Sequence, residues 1–134
     1  MYDCRHFDIR ELVPEHVFLA RGNKAWELLD DRALQMLDAI RDRFGSTTVN
    51  NAYQGGDRNW SGLRTFGSPY FSQYSQHSFG RAFDCLFRDY TAEEAREYIM
   101  DHKDEFPYIN AIELGVSWLH FDVRNTDPIK AFRA

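Results

Sequence analysis

Three residues of this chain are of the right types to assemble into a metal centre. His77 and Asp84 lie seven positions apart in SQHSFGRAFD, and His120 follows thirty-six positions later in SWLHFDVR. Two imidazoles and one carboxylate suit a tetrahedral zinc that keeps its fourth position open, which is the arrangement of catalytic rather than closed structural sites. Gly80, between the first pair, lets the chain turn tightly. The bland reading stands beside this one. Such a spacing also arises by chance, and a lone strand histidine is ordinarily packed or solvated.

Periodicity locates the strands and helices around these residues. Val116 to Val123 alternates cleanly, so Leu119, Phe121 and Val123 share one face of a strand while Trp118, His120 and Asp122 share the other. RAFDCLF reads as a second strand carrying Asp84, with His77 in the loop before it, and STTVNN as a short third, rich in β-branched residues. Asp30 to Phe44 predicts a helix: Ala33, Leu34, Leu37, Ile40 and Phe44 fall on one face, Asp30 caps the start and Gly45 closes the end. Thr91 to about Lys103 predicts another, opened by a capping box of Thr91 and Glu94. The first 29 residues read as an N-terminal arm of extended chain and turns, with one short helical piece. The sum is a single α+β domain over residues 1–134, a small antiparallel sheet with flanking helices.

Composition narrows the function. At 134 residues, 43% hydrophobic and 16% aromatic, the chain can bury a core without staples. A net charge of −5 argues against a broad nucleic-acid footprint or attachment to anionic membrane. No apolar run reaches the length of a membrane span. The acidic N-terminus lacks an apolar signal core, so synthesis in the cytoplasm is expected, with any exit by another route. Cys4 and Cys85 are too few for a disulfide framework, and Cys85 reads as a small buried hydrophobe facing away from Asp84. Between Ala52 and Tyr74 lies a long stretch of Gly, Ser, Asn and aromatics. Loops of that length in a compact domain are usually functional or disordered, and the aromatics favour order. Trp60, Phe66, Tyr70, Phe71 and Tyr74 either wall a groove over the metal or hold the loop down.

The pattern S-x-H-x-x-G-x-A-x-D, at Ser75, His77, Gly80, Ala82 and Asp84, is followed by W-x-H-x-D at Trp118, His120 and Asp122. Together they resemble the zinc peptidase family of D-Ala-D-Ala carboxypeptidases and phage-encoded peptidoglycan endopeptidases, whose metal-binding core is shared by hedgehog signalling domains. The resemblance extends to ELVP, to LLDDRALQMLDAIRDRFG, to TVNNAYQGG and to SGLR, and so spans most of the chain. It implies a hedgehog-like or DD-peptidase-like fold, one Zn2+ on His77, Asp84 and His120, and a peptidoglycan stem peptide as substrate. It also implies a phage or prophage origin, with action at the cell wall or from a virion. Arg64, in SGLR, takes the family's place for an arginine that clamps a substrate carboxylate or steadies an oxyanion; Arg58 competes for that role. Ser75 and Asp122 are read as residues that orient the ligands, since a metal-bound imidazole normally gives its other N–H to an acceptor. An exposed strand acid is the alternative for Asp122. Trp118 either lines the substrate cleft or packs.

One departure concerns the proton carrier. Many relatives place an acid three positions before the last zinc histidine or a histidine two before it; here those positions are Ser117 and Trp118, and neither can serve as a base. Glu113 is the nearest candidate, with a solvated loop acid as its alternative reading. The expected function is therefore a zinc peptidase with Glu113 and Arg64 as catalytic groups. The alternative is a catalytically weak or inactive zinc-containing binding or virion-structural module. His102 is expected only to meet a helix end, while His6 and His16 have no partner at a telling spacing.

Overall fold

The apolar periodicity that begins after Asp30 becomes α2 (Asp31–Phe44) in the computed structural model, which describes residues 1–125 and 129–133. The Asp30 carboxylate accepts from the N–H groups of Arg32 and Ala33, and Gly45 closes the far end. Ala33, Leu34, Leu37 and Ile40 are fully buried on the predicted face. The second expected helix forms as α3 (Ala92–Asp101), with the reciprocal Thr91–Glu94 capping box in place. Such a cap is worth about 1 kcal/mol. His102 sits at its C-terminal end, where Nδ1 donates to the Tyr98 carbonyl at 2.8 Å and the ring stacks on Tyr98.

Residues 1–29 are more helical than an arm. A 3-10 turn (Ile9–Glu11), α1 (Glu15–Arg21) and a second 3-10 stretch (Gly22–Leu28) follow one another. Phe7, Ile9, Leu12, Val13 and Val17 are all buried in the common core. Irregularly spaced apolar residues give no helical period to read, and tertiary packing shapes the segment instead. Its N-terminal end is tied to the fully buried Asp38 of α2, which accepts from Tyr2 Oη at 2.6 Å and from the backbone N–H of Arg5 at 2.8 Å.

Among the described residues, five strands form the sheet: β1 (Thr47–Thr48), β2 (Ala82–Phe87), β3 (Ala111–Glu113), β4 (Leu119–Asp122) and β5 (Lys130–Phe132), in the order β1-β2-β4-β3-β5. All pairs are antiparallel except β3 with β5, so the architecture is α+β with a mixed sheet. β3 and β5 are too short to declare themselves in the sequence. β4 is shorter than the alternating run, because Arg96 of α3 takes the carbonyls of Val116 and Trp118, each at 3.0 Å, out of the ladder.

The two faces of β4 part as its alternation requires. Leu119 and Phe121 join the core with Phe83 and Cys85, at about 2–3 kcal/mol for each large side chain buried. His120 and Asp122 lie on the opposite face. Among the described residues no helix is long and apolar enough to cross a membrane.

Candidate metal centre

On that second face, β2 and β4 run in a register that sets Asp84 directly across from His120. His77 arrives from a 3-10 turn, Gln76–Phe79, which Ser75 caps by accepting from the His77 N–H at 3.3 Å. Gly80 ends the turn at φ 68°, a left-handed conformation that suits glycine. The three side chains meet. His77 Nε2 lies 3.2 Å from Asp84 Oδ1, His120 Nδ1 lies 2.9 Å from the same oxygen, and the two ring nitrogens are 3.3 Å apart.

These separations allow a test of fit. Bonds of about 2.0–2.1 Å to a tetrahedral ion imply ligand–ligand edges of about 3.3 Å. All three observed edges approach that value, and all three residues are buried. The outer ring nitrogens are committed elsewhere. His77 Nδ1 donates to the Gly62 carbonyl at 2.9 Å, which leaves Nε2 as a lone pair aimed inward. His120 Nε2 donates to Asp122 Oδ2 at 2.9 Å, which directs Nδ1 to the same point. His77, Asp84 and His120 thus form a group able to hold a metal ion.

Without an ion, one proton can occupy that point. Burial alone would depress the His120 imidazolium, but its bonds to Asp122 and Asp84 outweigh burial and lift its pKa to about 9. Burial works against the Asp84 carboxylate as well. The two histidines nonetheless hold it far below the usual carboxylate range. Asp122 is also held low against burial, by Arg124 and His120. Arg124 Nε and Nη2 grip the two Asp122 oxygens at 2.7 and 2.6 Å. Asp122 is therefore no exposed strand acid.

The centre opens into a cleft of about 640 Å³. Its lining includes Arg58, Trp60, Arg64, Tyr70, Tyr74 and Glu113. Arg64 donates from Nη2 to Asp84 Oδ2 at 3.0 Å and from Nε to the Trp60 carbonyl at 2.7 Å. It thereby holds the outer oxygen of Asp84 and turns Oδ1 alone to the imidazoles. Burial lowers the Arg64 pKa, with the charges of Asp84 and Glu113 acting the other way.

Glu113 is not a loop acid. It ends β3, whose register pairs Ala111 with Asp122 and Ile112 with Phe121, so the next step faces His120. Ile112 points into the core, and Glu113 points to the cleft. Trp118 lines the cleft too, and its Nε1 is buried with no hydrogen-bond partner among the described residues. Arg58 also lines it, its Nε turned to the Val49 carbonyl at 3.3 Å.

Three contributors escape a reading of the sequence. The Gly62 carbonyl that fixes the His77 tautomer is a backbone group without a motif of its own. Arg96 lies on α3 and reaches the loop before β4 only through the tertiary fold. Arg124 had a signal: it lies two positions after Asp122, in line with the period of an extended chain. His16 meets Thr65 Oγ1 at 3.1 Å and His6 meets Asp42 at 2.6 Å, both away from the centre. Cys85 is buried in the core and Cys4 is half-buried; neither is in a disulfide.

Comparison of the chain with protein-family models, with curated proteins and with solved structures gives no match.

Proposed function

We propose that this chain is a zinc-dependent peptidase that hydrolyses an amide bond in peptidoglycan stem peptides, as a D-Ala carboxypeptidase or endopeptidase of phage or prophage origin. The observation that carries the reading is the convergence of His77 Nε2, Asp84 Oδ1 and His120 Nδ1 at 2.9–3.3 Å on the floor of an open cleft. Two nitrogens and one oxygen favour zinc over harder cations that prefer all-oxygen sites. The chemistry zinc supplies when bound there is Lewis acidity, which acidifies water and polarises a carbonyl.

The chain's own residues supply the remainder. Glu113 takes a proton from the attacking water and delivers it to the leaving amine. Arg64 spends Nε and Nη2 on Trp60 and Asp84, and turns its other N–H groups to a substrate carboxylate or developing oxyanion. Trp60, Tyr70, Tyr74 and Trp118 wall the cleft and exclude water. A second reading, a metal-stabilised binding or virion-structural module, draws on Ser117 and Trp118, which stand where a base would be expected and cannot act as one.

Elemental analysis of the purified protein, run beside release of D-Ala or free amines from purified peptidoglycan, separates the readings. One zinc per chain with release is expected, and Glu113→Gln should keep the zinc and lose at least about a hundredfold in rate. Zinc without release in the wild type would transfer the conclusion to the binding module. A chain that takes up no metal would end both.

A further inference from the structure

The loop that walls the cleft carries a second feature, which the metal chemistry does not use. Phe66, Tyr70 and Tyr74 are 89%, 66% and 78% exposed, respectively. Phe79 and Tyr108 are the next most exposed rings, at 48% and 40%; three larger exposures within nine residues of one loop stand out, and clustered exposed apolar surface marks an interaction site. Tyr70 and Tyr74 also line the cleft, so the exposed rings continue the substrate surface outward from His77.

The rings are not on a floppy strap. Successive turns hold the loop: Ser68 N–H to the Thr65 carbonyl, Phe71 N–H to that of Ser68, and Ser75 N–H to that of Ser72. The Ser78 hydroxyl adds a bond to the Ser72 carbonyl at 2.7 Å. Phe71, half-buried, packs beneath Phe66 with ring centroids 5.8 Å apart. Arg64 lies over the Tyr70 ring at 5.6 Å. Rigid aromatic side chains presented in this way give contact area at low entropic cost.

The chemistry of the segment selects its partner. From Thr65 to Phe79 there is no Asp, Glu, Lys or Arg, in a chain that is 28% charged; between the rings stand Gly67, Ser68, Pro69, Ser72 and Gln73. Ionic recognition is therefore absent from this stretch, and the net charge of −5 disfavours an anionic lipid surface. Aromatic faces bear negative quadrupole charge and attract the weakly positive C–H faces of a sugar ring. Hydroxyl and amide side chains exchange hydrogen bonds with sugar hydroxyls.

We infer that Phe66, Tyr70 and Tyr74 form a stacking platform for a neutral glycan strand at the rim of the cleft. This rests on the proposed function in taking the scissile peptide to be one that branches from a sugar chain. Binding energy gathered on the glycan then helps to seat the stem peptide over the metal centre.

The test measures binding apart from hydrolysis. Zinc-loaded protein is titrated with N-acetylglucosamine oligomers, uncharged glycan strands that carry no peptide, using the wild type and a Phe66→Ser/Tyr74→Ser double variant. Binding that falls at least tenfold in the variant is expected, with an unchanged thermal midpoint because both side chains are exposed. Phe66→Ser alone, which lies outside the cleft lining, should raise KM on intact wall at least threefold and leave hydrolysis of a free stem peptide unchanged. No binding of glycan by the wild type, or equal binding by the double variant, would overturn the inference. Rings that instead mediate adsorption to neutral lipid vesicles or self-association would overturn it too. Failure of the peptidase reading looks different: the wild type would hydrolyse no free stem peptide, whatever its glycan binding.

Discussion

Asp122→Asn is the substitution that best isolates how the metal centre is built. Asp122 is fully buried and uses both oxygens: Oδ2 accepts from His120 Nε2 at 2.9 Å and from Arg124 Nη2 at 2.6 Å, and Oδ1 accepts from Arg124 Nε at 2.7 Å. Asparagine keeps the volume but replaces one acceptor by an NH2 group. That group must then face either the imidazole N–H or the guanidinium, donor against donor. Arg124 is 24% exposed and can turn to water, whereas His120 cannot. His120 therefore keeps a neutral acceptor and loses the charge-assisted one. Loss of such an orienting partner weakens metal affinity by about 10–100-fold, or about 1.4–2.7 kcal/mol. Breaking the ion pair with Arg124 should also cost the metal-free fold about 1–3 kcal/mol, below the full range for a buried pair because Arg124 is partly solvated. Competition against a chromophoric chelator gives the affinity, and urea unfolding of the metal-free protein gives the stability. Arg124→Gln is the control and should shift metal affinity by less than about threefold. If Asp122→Asn binds zinc as the wild type does, or if Arg124→Gln weakens it equally, Asp122 is a partner of Arg124 and does not orient His120.

Two further outcomes follow from the same geometry. His120 holds its proton up to about pH 9 in the metal-free protein, against about 6.5 unfolded. Its contribution to stability is full below about pH 6.5 and fades as pH rises toward 9. Asp84, held low, contributes above about pH 4 and loses its contribution as the solution becomes more acid. A metal must displace the His120 proton, so at fixed free zinc the gap in thermal midpoint between loaded and metal-free protein should widen from pH 6 to 9. A narrowing gap would contradict the assignment of Nδ1 as a ligand atom. Gly80→Ala should destabilise the fold by about 2 kcal/mol or more, because the residue sits at φ 68° and its new Cβ would fall 2.1 Å from the Leu28 carbonyl oxygen. Circular dichroism melting that leaves this variant at the wild-type midpoint would show that the backbone relaxes there at little cost.

Elements with a strong period or a local cap were legible in the sequence. α2, α3 and the core-facing side of β4 each rest on residues that repeat at the spacing of their own structure, and the caps at Asp30 and Thr91 depend on neighbours two or three positions away. What escaped is what the tertiary fold decides. β3 and β5 have three residues each and exist as strands only because β4 offers an edge to β3 and β3 offers one to β5. The N-terminal helices draw their order from burial against the core and from Asp38. At the site, His77, Asp84, His120 and Asp122 share strand faces or one short turn, and their placement follows from alternation and a single glycine. The Gly62 carbonyl and Arg96 come from elsewhere in the chain, with backbone or buried contacts that no side-chain spacing encodes.

Arg64 is the point at which the two lines of argument constrain each other. By resemblance it meets the substrate; by geometry it already meets Asp84. The two roles are compatible because a guanidinium is a fork with five donors, and only Nε and one Nη2 hydrogen bond are committed. The geometry adds a consequence for the metal. With Oδ2 drawn to Arg64, Asp84 turns only Oδ1 toward the imidazoles, so a metal held there would meet a single carboxylate oxygen. A lysine could supply the charge but not both directions at once, since its ammonium is a single point. On the proposed function, the arginine would link the one oxygen that Asp84 offers a metal to the position where substrate charge is received, through one planar group whose orientation is set by the Trp60 carbonyl.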